Sequence, residues 1–358
     1  MNKTFIRMLF FIFLLITAGI LYAGPNQWTL TEGISVEAFC ISLSPVDNNI
    51  LYSTVLGGYH VPRKLYRSAD KGNTWSQITQ NNDEIWNHVF CSPESSSILF
   101  MTDNSGLHRS INGGYTMSLV TSGLAVGSYV SDMTYLNDTD KTLFVSAYSI
   151  YKSTDGGENW SPSSTGMGYL SGIHLSASSI NSSLIYATGG NGLYKSIDKG
   201  ENWSLLTSSS NLYEWRCIRV NPVNPDIVYA IPGSNNYYLH KSIDGGTTWS
   251  LKSTGLPAWM LLDIATVPGD GSTLFTTSPS GNGVYISTDT GETWQEMNNG
   301  FSAYSPVINQ LIVIPGKSPI ILAATPLGVY SYTLTTTSVE KELWEGYEGD
   351  HRDLFKND

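Results

Sequence analysis

The sequence predicts an all-β protein, a single seven-bladed β-propeller of four-stranded antiparallel blades, and three observations predict it. An octapeptide recurs at blade-length intervals, each interval holds four strand-like segments, and the segments left over at the two ends close a ring. The octapeptide reads SADKGNTW (68–75), SINGGYTM (110–117), STDGGENW (153–160), SIDKGENW (196–203), SIDGGTTW (242–249) and STDTGETW (287–294). Its third position falls at Asp70, Asn112, Asp155, Asp198, Asp244 and Asp289, so successive copies stand 42, 43, 43, 46 and 45 residues apart. A period of that length with several short strands per unit is the pattern of propeller blades.

Each unit divides the same way. An apolar stretch ending near proline, such as CIRVNPVNP or LDIATVPGD, is strand a. IVYAI or LIYAT follows as strand b, GLYKS or GVYIS as strand c, then the octapeptide, then a Trp-led strand d such as WSLLTS. Period-2 segments separated by turn residues make an antiparallel meander. Strand d is led by Trp28, Trp75, Met117, Trp160, Trp203, Trp249 and Trp294, and the first of these precedes any abc set. INQLIVIPG, IILAAT and LGVYSYTL supply a final abc set without a d strand. The N-terminal strand is therefore expected to complete the last blade.

Composition agrees with many short strands and tight turns: 34 glycines, 21 tyrosines and 10 tryptophans in 358 residues. Two basic residues precede an apolar run, Met8 to Tyr22, which is followed by Ala23, so residues 1–23 read as a secretory signal peptide. The run is short for a spanning helix, so no membrane insertion is expected after cleavage. Residues 24–334 form the propeller, and residues 335–358 an acidic appendage, disordered or briefly helical. The protein is expected to be exported, to a periplasm or outside the cell, and its oligomeric state stays open. The mature chain keeps 17 basic against 30 acidic side chains, which excludes nucleic acid and anionic membranes as partners. Cys40, Cys91 and Cys217 sit in apolar strand contexts and read as buried thiols, not a disulfide framework.

Within the octapeptide each residue type has a structural use. Glycine at the fifth position allows a left-handed backbone in the c–d hairpin. The third-position aspartate can accept hydrogen bonds from the N–H groups of the turn, and the eighth-position aromatic packs beside it. The pattern S/T-x-D-x-G-x-x-W resembles the BNR or Asp-box repeat of sialidases, xyloglucanase-like glycoside hydrolases, sortilin-like receptors and photosystem II assembly factor-like propellers. Five full copies carry it, with Asp70, Asp155, Asp198, Asp244 and Asp289 and Trp75, Trp160, Trp203, Trp249 and Trp294. The copy with Asn112 and Met117 is degenerate. The resemblance implies that the boxes are structural and lie opposite the functional end, which is built from the d–a and b–c loops. It implies nothing more specific about function, because such repeats occur in enzymes and in binding proteins.

A sialidase would need three arginines on a carboxylate; Arg63, Arg216 and Arg219 are what remain once strand c and tail arginines are set aside, and no R-I-P segment is present. A xyloglucanase-like hydrolase would need two carboxylates, for which Asp132, Asp263, Glu84 and Glu214 are the candidates. Asp132 and Asp263 share one register, five residues ahead of the strand a proline position, three blades apart, so they could face each other across the channel mouth or simply be solvated acids. Aromatic residues recur near the start of strand a: Trp86, Tyr129, Tyr169, Trp215, Trp259 and Tyr304, with Tyr59 from a b–c loop and Arg216 beside Trp215. Such a ring suits sugar faces, peptides or cations, or else wedges between blades as core. Neither His/Cys spacing nor acidic loops indicate a metal, and no cofactor is expected. The reading favoured is a non-catalytic exported module that binds a polypeptide or glycan through its loop end. A glycoside hydrolase is the alternative.

Overall fold

A computed structural model of the protein describes residues 26–56, 64–78, 86–168, 173–189, 192–208, 215–233, 238–257, 261–278, 282–302 and 307–335. The expected signal peptide, most of the tail, and Tyr59, Glu84, Tyr169, Glu214, Trp259 and Tyr304 lie outside these residues. The chain opens with β1 (Thr29–Leu30) and then lays down blade 1 as β2 (Ala38–Leu43), β3 (Leu51–Val55), β4 (Lys64–Ser68) and β5 (Ser76–Gln77). Blade 2 is β6 (Val89–Cys91), β7 (Leu99–Asp103), β8 (Gly106–Ser110) and β9 (Ser118–Leu119), and blade 3 is β10 (Asp132–Tyr135), β11 (Leu143–Ser146), β12 (Ile150–Ser153) and β13 (Ser161–Pro162). Blade 4 is β14 (Leu175–Ala177), β15 (Ile185–Gly189), β16 (Gly192–Ser196) and β17 (Ser204–Ser208), and blade 5 is β18 (Trp215–Val220), β19 (Val228–Pro232), β20 (His240–Ser242) and β21 (Ser250–Leu251). Blade 6 is β22 (Ile264–Thr266), β23 (Leu274–Ser278), β24 (Gly283–Ser287) and β25 (Gln295–Glu296), and blade 7 begins with β26 (Gln310–Ile314), β27 (Ile320–Thr325) and β28 (Gly328–Thr333). Every blade is a meander, and β1 is the fourth strand of blade 7, pairing Thr29 with Ser331 and Leu30 with Tyr330.

Ring closure is visible in the packing. Seven apolar clusters occupy the seven gaps between adjacent blades, from Tyr52 and Leu65 against Val89 and Met101 between blades 1 and 2, to Leu322 and Val329 against Ile41 and Leu51 between blades 7 and 1. Strand b is sandwiched on both faces, which is why Leu51–Val55 and Val228–Pro232 are buried at every position. A second clasp repeats at the rim. The N–H of Trp75, Trp160, Trp203, Trp294 and Trp28 donates to Glu32, Ser122, Thr165, Thr254 and Asn299 of the preceding blade, at 2.8–3.1 Å. Each acceptor is followed by glycine, and at Gly123 the reason is plain: its φ is +82° and a Cβ there would overlap the Trp160 carbonyl.

The six octapeptides fold alike. Ser68 Oγ donates to Asp70 Oδ1 at 2.7 Å and accepts from Gly72 N at 2.9 Å. Thr74 donates its N–H to Asp70 Oδ1 at 2.9 Å and its hydroxyl to Oδ2 at 2.6 Å. The fifth-position glycines have φ between +77° and +91°. The degenerate copy keeps the scheme, with Thr116 N donating to Asn112 Oδ1 at 3.0 Å. The tryptophans are less uniform. Trp75, Trp160 and Trp249 donate from Nε1 to the glycine carbonyl of their own box, whereas Trp203 reaches Ser163 O of the preceding blade at 2.7 Å.

Candidate functional site

Strand a is innermost in each blade, so its side chains alternate between the interblade core and a central channel. At the loop end the channel widens into a chamber of about 530 Å³. The seven positions five residues ahead of the strand a proline position all line it: Cys40, His88, Asp132, His174, Cys217, Asp263 and Gln310. Toward the Asp-box end lies a second chamber of about 450 Å³, and Phe90, Asp132, Arg219 and Gln310 line both, so they form the waist between them.

The upper chamber has two unlike walls. On blades 1 and 2, Phe39 and His88 approach at 5.6 Å between ring centres, and His88 stacks on Phe90 at 6.1 Å. Opposite charges fill the other wall. Arg219 spends its guanidinium on the protein itself: Nε on Ile264 O at 3.1 Å, Nη1 on Ile218 O at 2.9 Å and Nη2 on Asp263 Oδ1 at 3.0 Å. Asp263 Oδ1 also accepts from Ile264 N at 2.9 Å and from the Cys217 thiol at 3.6 Å. Asp132 Oδ1 accepts from Met133 N at 2.8 Å, and Oδ2 accepts from Leu175 N at 2.9 Å with His174 Nδ1 at 3.7 Å.

These contacts fix protonation. Burial pushes Asp132 toward its neutral form, but the His174 hydrogen bond, the charges of His174 and Arg219 and the Leu175 N–H outweigh it, so the carboxyl sits below the usual range. Burial pushes the Cys217 thiol up to about 12, so it stays protonated. Arg219 is held charged beyond its ordinary value; burial opposes this, and the carboxylates of Asp263 and Asp132 favour the charged form.

The aromatic candidates separate. Trp86 is fully buried in the gap between blades 1 and 2, edge-on to His108 at 5.0 Å, so its ring is core and offers no face to a ligand. Trp215 is half-buried at the chamber edge, packed against His240 and Trp249, and its Nε1 is buried without a hydrogen-bond acceptor among the described residues. Arg216 lines the same chamber. Tyr129 is exposed, and so is Tyr148 in the blade 3 b–c turn, at 70% with a left-handed φ of +57°. Asp132 and Asp263 come together in one chamber, as their shared register allows. What sequence reasoning missed is the rest of that register: His88, His174 and Gln310 stand in the same column, and Arg219 two residues further along its strand.

Fold and boxes together define the class: the chain is a seven-bladed β-propeller that carries Asp-box motifs in its c–d turns. The model of the BNR/Asp-box repeat matches residues 151–162, the third box. No curated protein matches the chain in sequence. Among solved structures the chain is similar to YCF48 bound to a D1 peptide, with a TM-score of 0.64 and 16% identity over 87% of this chain and 98% of that one. It is also similar to an ancestral GH74 enzyme, with a TM-score of 0.68 and 16% identity over 86% of this chain and 46% of that one. The GH74 xyloglucanase from Xanthomonas campestris gives a TM-score of 0.58 and 15% identity over 84% of this chain and 59% of that one. The chain thus spans about half the length of the GH74 enzymes, and identities this low establish the fold alone.

Proposed function

We propose that this propeller is an exported binding module that holds an extended polypeptide segment across its loop end, with side chains of the ligand entering the upper chamber. The observation that carries the reading is that its two carboxylates are both committed to protein groups. Asp132 is tied down by two backbone N–H groups and His174, and Asp263 by Arg219 and Ile264. A glycoside hydrolase needs a carboxylic acid that is protonated at working pH. Asp132 is shifted the other way. A chamber with an aromatic wall, an amide and paired charges is suited to recognition. The nearly full-length match to a peptide-bound propeller, against about half the length of the GH74 enzymes, supports the same reading.

The hydrolase reading is kept by one observation, that Asp132 and Asp263 line the same chamber. Capture of native partners by the exported protein, with Trp215→Ala, Arg216→Ala and Asp263→Asn variants, tests the proposal. Loss of one polypeptide partner in all three supports it; glycan cleavage that vanishes in Asp132→Asn or Asp263→Asn replaces it with the hydrolase. Export is checked by N-terminal sequencing of the mature chain, expected to begin at Gly24.

A further inference from the structure

The a–b and c–d turns share the other end of the propeller, where the lower chamber opens between Leu43, Ala177, Pro222, Pro268 and Ile312. The turns at this end hold aliphatic side chains in water. Blades 4 and 5 expose Ile180 at 58% and Val223 at 48% on their a–b turns, and Ile197 at 71% and Ile243 at 70% on their c–d turns. The box does not require isoleucine at its second position, since Ala69, Thr154 and Thr288 stand there in other blades. Large aliphatic groups left in water on the turns of one end, the end at which a chamber opens, mark a surface that is covered in use.

Charge selects what covers it. The a–b and c–d turns together carry fourteen acidic side chains and four lysines, all within the described residues. Asp138, Glu158, Glu201 and Glu292 are paired with Lys199, Arg109, Lys152 and the pair Lys241 and Lys252. The other ten, among them Asp47, Asp226, Asp270 and the five box aspartates, have no ion-pair partner among the described residues. Such a surface repels phosphates, which excludes nucleic acid and anionic lipid.

We infer that this end docks a basic amphipathic polypeptide segment of a partner protein. Its apolar side chains cover Ile180, Val223, Ile197 and Ile243 and enter the lower chamber, and its lysines or arginines face Asp226 and Asp270. The inference is independent of the proposed function, which uses the opposite end. Fluorescence anisotropy of the full chain with a labelled peptide alternating lysine and leucine tests it, against controls with serine for leucine and glutamate for lysine. The lysine–leucine peptide is expected to bind at least tenfold more tightly than either control. The Ile180→Ser/Val223→Ser variant, altered only at exposed positions, is expected to weaken it at least tenfold, and Trp215→Ala to leave it unchanged. Equal binding of the lysine–serine peptide, full binding by the serine variant, or loss in Trp215→Ala overturns the inference. So does a dimer of the wild-type chain in sedimentation that the serine variant abolishes, since a second copy then occupies this end.

Discussion

At the Asp-box end, the contacts of Ser68 and Asp70 recur in blade after blade, each made within eight residues of chain. At the loop end, the corresponding ring of strand a positions holds two cysteines, two histidines, two aspartates and a glutamine, and Arg219 meets Asp263 across 44 residues of chain. Repetition therefore marks what a continuous c–d hairpin needs in order to fold, and its absence marks what the molecule as a whole presents to a ligand. Redundancy differs accordingly: a box has five counterparts, whereas the charged waist exists once.

The comparison breaks first at the rim clasp. Gly123→Ala forces a side chain into a left-handed backbone and into the Trp160 carbonyl, and is expected to cost about 3 kcal/mol in urea unfolding. A loss within about 0.5 kcal/mol of zero, the range of an ordinary surface substitution, would show that the clasp yields. Next, Arg219→Met leaves Asp263 without its cation. Because both side chains are partly exposed, at 31% and 17%, the expected loss is about 2 kcal/mol, below the value for a fully buried pair. Adding Asp263→Asn should restore part of it in a double-mutant cycle; simple additivity would mean that the pair is not coupled.

At the box end, Asp70→Ala removes the acceptor of three short hydrogen bonds and is expected to cost about 1.5 kcal/mol. Its effect should be smaller than that of Arg219→Met, and a reversed order in thermal melts would contradict the argument from redundancy. The smallest effect is a gain: Asn112→Asp gives the degenerate box its acceptor for the Thr116 hydroxyl and should stabilise by about 0.5 kcal/mol.

Acid should weaken the boxes. Thr248 and Ser242 hold Asp244 at about 2, and Asp289 reaches about 2 because Thr293 and Ser287 outweigh the opposing effect of burial. Folded carboxyls below their unfolded value near 4 bind fewer protons than the unfolded chain in that window, so the stability they add is present above pH 4 and lost as pH falls toward 2. The urea midpoint should drop steeply between pH 4 and 2, and less so in Asp289→Asn; an unchanged slope in that variant would remove Asp289 from the account.

The blades, their number and their closure were legible in the sequence because the contacts that make them are local. A box completes its hydrogen bonds within eight residues, and Trp28 announced the stray fourth strand by matching the other strand d tryptophans. The chamber was legible only as a register: Asp132 and Asp263 could be aligned by counting back from proline, but their partners could not. Trp86 shows why. Its place at the start of strand a fits a ligand platform and a core wedge equally well, and only the adjacent blade, supplying Cys40, Tyr52 and Leu65, buried it.

The sequence by itself thus determined the repeating unit, because periodic hydrogen bonding and alternating burial are properties of short stretches. The tertiary structure alone decided which side chains meet at the axis, because seven strands separated by more than forty residues each converge there only once the ring has closed. It also decided the protonation of Asp132, held ionised by a histidine and an arginine from two other blades. The same closure gathered the turn carboxylates and the exposed isoleucines at one end.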